Sequence, residues 1–182
     1  MLTNKKILVG ITGCIGVYKI CSLVNQLKKE GAEVRVVMTK AATEFVRPLT
    51  FQTLTNSEVY IETFDIHDKS VVEHIYLADW CDVLLIAPAT ANTIAKIAHG
   101  FGDNLLTTIA LAIGEKTKKL VAPAMNCHMW ENPITQHNIS TLKENNYLII
   151  GPEYGNLACG YSGQGKISDN KVLFEAIQKA LS

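Results

Sequence analysis

Three stretches of the sequence carry residue types that do chemistry: GITGCIGVYK from Gly10, PAMNCHMWENP from Pro123 and LACGYSGQGKIS from Leu157. The last holds Cys159 between Ala158 and Gly160. A thiol flanked by small residues in a glycine-rich loop lacks core periodicity and is accessible enough to act as a nucleophile or an acid. Asn126 follows Pro123 by three residues, where a carboxamide either hydrogen-bonds a ligand or caps a helix or turn. His74 competes with His67, His99, His128 and His137. Residue type alone sets none of the five apart as an acid or base.

Gly160, Gly165 and Lys166 resemble a phosphate-cradling loop, and the resemblance fails twice. Such a loop needs a strand immediately before it and Ser or Thr after the lysine. Here the last apolar run ends near Gly151 and Ile167 follows Lys166. The glycines fit a mobile flap that closes over a ligand and presents Cys159.

The first loop spaces Gly10, Gly13 and Gly16 three apart, a mismatch to the dinucleotide fingerprint at its second glycine. The second apolar run ends in Met38, Thr39 and Lys40, with no carboxylate to hold an adenine ribose. Backbone amides, a helix N-terminus and the hydroxyls of Thr12 and Thr39 remain, a set suited to a single phosphate group. The plain alternative is a tight strand-to-helix turn in which the glycines only allow packing.

Two further runs end alike: DVLLIAPATANT with Pro88, Thr90, Ala91, Asn92 and Thr93, and KLVAPAMN with Pro123 and Ala124. Each proline is expected to stop a strand's ladder and turn the chain over the sheet edge. Small residues then admit a flat ligand. Any one of these loops reads equally well as a helix cap, but three on one edge point to a site.

The elements that must position these residues are short apolar runs alternating with amphipathic ones. Strands are predicted at 5–11, 33–39, 82–88, 118–125 and 147–151, the last of them closing the sheet. Helices are predicted at 17–31, 71–81, 91–100, 103–114 with Asp103 as cap, 132–146 with Pro133 in its first turn, and 169–182 capped by Ser168 or Asp169. Strands apolar on both faces and separated by helices predict an α/β fold, a Rossmann-like or flavodoxin-like doubly wound parallel sheet in a three-layer sandwich. The expected organisation is one domain over 1–182. Ligands in such folds sit beyond the carboxyl ends of the strands, where strand order switches.

The 182 residues are 48% apolar, with 17 Lys plus Arg against 17 Asp plus Glu. A disordered chain is excluded, and nucleic acid is a poor partner for a neutral protein without clustered cations. The five cysteines include no Cys-x-x-Cys pair, which favours reduced thiols in the cytoplasm over disulfides or zinc. Glycines interrupt the first apolar run, so it does not read as a signal peptide, and no run is long enough to span a bilayer.

In order along the chain, GITGCIGVYK, EHIYLADWCDVLLIAPATANT, PAMNCHMWENP and LACGYSGQGKIS resemble the flavin-dependent cysteine decarboxylase family over nearly the whole sequence. The resemblance implies FMN, held by Gly13, Cys14, Ile15, Thr39, Lys40, Ala41, Thr90, Ala91, Asn92, Thr93 and Ala124. It implies catalytic roles for His74, Asn126 and Cys159, and a substrate clasp at Asn156, Leu157 and Ala158. Lys166 is a candidate for a substrate phosphate. The implied reaction is decarboxylation of 4'-phosphopantothenoyl-L-cysteine to 4'-phosphopantetheine in coenzyme A biosynthesis. It passes through a thioaldehyde, whose sulfur takes up the charge left by CO2, and an enethiol that Cys159 protonates as hydride returns. Two other readings are a peptidyl-cysteine decarboxylase of lantibiotic type and a non-catalytic FMN-binding regulatory subunit. The resemblance further implies a homotrimer or a dodecamer of trimers, with the histidine lent by a neighbour. Bifunctional relatives continue into a synthetase; a chain ending at 182 is expected to find that activity elsewhere in the cell. Tyr161 departs from the Asp that many relatives carry after Ala-Cys-Gly.

Overall fold

The computed structural model describes residues 2–62, 72–158 and 160–182; Cys159 and the 63–71 stretch, with His67, lie outside the described residues. The first βαβ unit runs through β1 (Lys6–Ile11), α1 (Val17–Lys29) and β2 (Glu33–Met38). A 3-10 turn at Lys40–Glu44, α2 (Pro48–Thr55) and the two-residue β3 (Val59–Tyr60) occupy a stretch for which periodicity predicts no element. Its punctuation was nevertheless in the sequence. Pro48 opens α2 in the first turn, and Asn56 ends it at φ +53°.

The second half comprises α3 (Glu73–Trp80), β4 (Val83–Ala89), α4 (Ala91–Ala98), α5 (Leu105–Ala112) and β5 (Lys118–Pro123). Then come α6 (Cys127–Glu131), α7 (Pro133–Glu144), β6 (Tyr147–Ile149), β7 (Glu153–Asn156), β8 (Ser162–Lys166) and α8 (Asn170–Ala180). Six strands form one parallel sheet in the order β3-β2-β1-β4-β5-β6. The doubly wound expectation holds, and strand order switches between β1 and β4.

Alternation within the strands divides the core into two layers. Ile7, Val9 and Ile11 pack with α1, α2 and α8 on one face, where Leu23, Phe51 and Ile177 are fully buried. Leu8, Leu84 and Ile86 pack with α3, α4, α5 and α7 on the other, around Leu77, Leu105 and Ile109. These side chains are removed from water completely, the largest favourable contribution to a fold of this size.

Several expectations are corrected. Pro88 does not end its strand: β4 runs to Ala89, which pairs with Pro123 after a register shift that follows Ile86. The shift reverses the alternation, so Ala89 lies on the face of Leu84 and Ile86. Pro123 does close β5. Asn104, not Asp103, caps α5: its side chain accepts from Thr107 N, and the Thr107 hydroxyl answers in a capping box. Asp103 instead accepts from Lys96, whose ammonium holds that carboxyl below its usual range. Asp169 stands at the start of α8 without a side-chain cap bond. Finally, 147–151 is not the last strand: β7 and β8 form a separate antiparallel hairpin.

Candidate active site

The switch point between β1 and β4 is fastened from within. Thr12 is buried; its hydroxyl donates to Pro88 O at 2.6 Å and accepts from Thr90 N at 3.0 Å. The hydroxyl expected to meet a phosphate thus joins the two loops instead. Cys14 N is bonded to Thr12 O, and the amides of Val17, Tyr18 and Lys19 are bonded to the carbonyls of Cys14, Ile15 and Gly16. The Gly16 amide donates to the Cys14 sulfur, so the turn offers a ligand the amides of Gly13 and Ile15.

Glycine is required at position 13 by close approach. A Cβ there would lie 2.6 Å from the Ala41 Cβ, so the turn packs directly on the 3-10 segment at the crevice that a strand switch opens. Lys40 and Ala41 are exposed on that segment. Gly10 serves packing instead: a Cβ there would enter the side chain of Leu106. The Thr39 Oγ1 is buried without a hydrogen-bond partner among the described residues. A buried hydroxyl lacking a partner is rare in folded proteins, and at the mouth of a nucleotide crevice it is what a bound polar group would satisfy. The residues therefore fit a cofactor of that kind.

The ATANT loop mixes both readings made of it. Thr90 caps α4, its Oγ1 accepting from Thr93 N at 3.4 Å, and Thr93 is buried. Ala91 and Asn92 form the first turn and remain accessible. Asn126 likewise caps α6, its Oδ1 accepting from His128 N at 2.8 Å.

Beside this crevice lies a cavity of about 520 Å³. Cys14, Ile15 and Ala124 line it, with Met125 and Asn126 as the wall after β5 and Asn156, Leu157 and Ala158 as the hairpin wall. Lys19 and Lys166 line it too, both with ammonium groups near the Asp169 carboxylate, at 3.5 and 3.8 Å. The hairpin is docked, which corrects the reading of its glycines as those of a free flap. Met125 N donates to Gly165 O at 3.0 Å, and a Cβ on Gly165 would run into the Met125 carbonyl. A Cβ on Gly163 would lie 2.7 Å from the Cys127 Cβ. Both glycines are there for close approach.

Eight residues singled out from sequence thus meet around one cavity: Cys14, Ile15, Ala124, Asn126, Asn156, Leu157, Ala158 and Lys166. His74 does not line it; it is half-buried in the first turn of α3. Cys159 lies outside the described residues, between two residues of the hairpin turn. Tyr18, Lys19, Met125 and Ile167 line the cavity without having been flagged. For Tyr18 and Lys19 a signal existed, since they lie three and four residues beyond Ile15 on one helical face. The Cys14 thiol, which lines the cavity, is made a weaker acid by burial.

Fold and site together define a doubly wound α/β protein with a cavity beside its strand switch. The chain belongs to the flavoprotein family, whose profile matches residues 1–182. It is 46% identical over 178 residues to a probable phosphopantothenoylcysteine decarboxylase of Streptococcus mutans, covering 98% of this chain and 99% of that one. It is 45% identical over 179 residues to a coenzyme A biosynthesis bifunctional protein of Bacillus subtilis, covering 98% of this chain but only 44% of that longer protein. Among solved structures, a cysteine-to-serine variant of PPC decarboxylase complexed with pantothenoylaminoethenethiol superposes with a TM-score of 0.87 at 34% identity, over 97% of each chain. The FMN binding protein AtHal3 superposes at 0.83 with 35% identity, over 97% of this chain and 96% of that one.

Proposed function

We propose that this chain is an FMN-dependent decarboxylase of 4'-phosphopantothenoyl-L-cysteine, forming 4'-phosphopantetheine and CO2. The observation that carries the reading is the cavity itself. It brings Cys14 and Ile15 of the first loop together with Asn126, the hairpin residues Asn156 to Ala158, and the two cations Lys19 and Lys166. A molecule that carries a thiol, a carboxylate and a phosphate has matching chemistry among those residues.

FMN would be held by the amides of Gly13 and Ile15 beside Cys14, by Thr39, Lys40 and Ala41, and by the loops carrying Thr90 to Thr93 and Ala124. When bound, it supplies the two-electron oxidation of the cysteinyl end and the later return of hydride. Asn126 holds the carboxylate through its amide, an attraction weaker than a cation's, so loss of CO2 is not opposed. Cys159 supplies the proton that turns the enethiol into product. Docking of the hairpin against Met125 excludes water from the reacting end.

His74 is assigned to a neighbouring copy's site. It stays out of its own chain's cavity, and Ile75 and Tyr76 beside it are exposed at 47% and 39%. A homotrimer, or a dodecamer built from trimers, would cover them. Sedimentation of the holoprotein checks this, and a monomer would refute it. Among the described residues no helix is long and apolar enough to cross a membrane, and the described cysteines are free, in keeping with a cytoplasmic enzyme.

One assay tests the function. The purified yellow protein is offered phosphopantothenoylcysteine, its dephosphorylated analogue and a peptide ending in cysteine. CO2 release from the first, in preference to both others, is expected; preference for the peptide would overturn the reading. Lys166→Ala should raise KM for the phosphorylated substrate about tenfold, the scale of one charge-assisted contact, and leave KM for the analogue unchanged.

A further inference from the structure

We propose that Tyr161 and His128 form a clasp that sets the distance between the two walls of the cavity, making both positioning residues for the substrate. The proposal rests on the function proposed above, but its geometry stands alone. The two rings meet edge to face, with centroids 5.6 Å apart and planes at 67°. Each ring is tied by its own backbone to one wall. His128 N donates to Asn126 Oδ1 at 2.8 Å. Tyr161 O accepts from Leu157 N at 2.8 Å, closing the turn that Gly160 N and Leu157 O also span at 3.0 Å. A displacement of either ring is therefore passed directly to Asn126 or to Leu157 and Ala158.

The rest of the hairpin's attachment lies further down. The Met125–Gly165 bond and the packing of Gly163 on Cys127 hold its base, two to four residues from Tyr161. A two-stranded hairpin is marginal by itself, and its turn is the first part to open. Tyr161 is 54% exposed, too open to count as a core residue. Its one ring contact among the described residues is with His128. An edge-to-face pair is strong enough to bias the turn without locking it, as a wall that must admit and release substrate requires.

The test uses holoprotein variants Tyr161→Ala, Tyr161→Phe, His128→Ala and the double alanine variant. Each single alanine should raise KM about three- to tenfold, the scale of one aromatic pair, with flavin content and thermal midpoint unchanged. Tyr161→Phe keeps the ring and should restore KM, and the double variant should match the singles rather than multiply them. Hydrogen exchange at the Leu157 and Gly160 amides should speed up several-fold in His128→Ala, where the hairpin's own sequence is untouched. Multiplicative KM effects, or unchanged exchange in His128→Ala, would overturn the clasp. Faster exchange in a protein that releases no CO2 would support the clasp and overturn the functional reading alone.

Discussion

The crevice between β1 and β4 and the β7–β8 hairpin lie on either side of one cavity and are held in opposite ways. The crevice is built from fully buried strands, and the Thr12 hydroxyl bonds its two loops at 2.6 and 3.0 Å. The hairpin has alternately exposed strands and rests on Met125 through one backbone bond and two glycines. A cofactor that stays bound suits the first; a substrate that comes and goes suits the second. If that division is right, damage on the two sides should separate cleanly into loss of flavin and loss of turnover.

The largest separation is expected at Cys159. Cys159→Ser should keep its flavin and release CO2 once, then stall with reduced flavin and enethiol, lowering product turnover roughly 10³-fold, within the range for a lost general acid. Stopped-flow absorbance follows the bleaching, and product formed at the wild-type rate would remove the thiol from the mechanism. Asn126→Asp should follow, with turnover down on the order of 10²-fold and flavin retained, because a second carboxylate repels the substrate's own. Normal turnover in that variant would reassign Asn126 to its capping bond with His128 alone.

Gly13→Val probes the other side. Its Cβ would sit 2.6 Å from that of Ala41, and the crevice must open to relieve the contact. Purified protein should be colourless while far-ultraviolet dichroism remains that of the wild type. Retained flavin would show that the turn tolerates a side chain and that the glycine has no cofactor role.

How much of this was legible beforehand follows the same division. Buried parallel strands write themselves as runs such as KILVGI and VLLIAPA, and the order of runs and helices was enough to place Gly13, Thr90 and Asn126 on one sheet edge. The hairpin was not visible, because SGQGK and EYGN have neither apolar alternation nor β-branched residues. They are strands by virtue of what they dock on, and only tertiary contact with Met125 and Cys127 explains their glycines. Thr12 was assigned to the wrong partner for a related reason: a hydroxyl's type is local, but its bonds to residues 76 and 78 positions away are not.

The smallest effect should come from Thr12→Val, and it is the sharpest check on the division. Valine keeps the volume but removes the acceptor for Thr90 N, in a part-buried setting, and the donor to Pro88 O, in a buried one. A buried amide left without its partner costs about 1–3 kcal/mol. The urea midpoint of the flavin-free protein should fall accordingly, and flavin affinity should weaken with it, because the amide that loses its partner belongs to the loop that walls the crevice. KM for substrate should change little, since the hairpin wall is fastened to Met125 and not to Thr12. A variant that kept its flavin affinity but lost substrate affinity would mean that the two sides of the cavity are coupled through the Thr12–Thr90 bond, and the separation would fail where it is built most firmly.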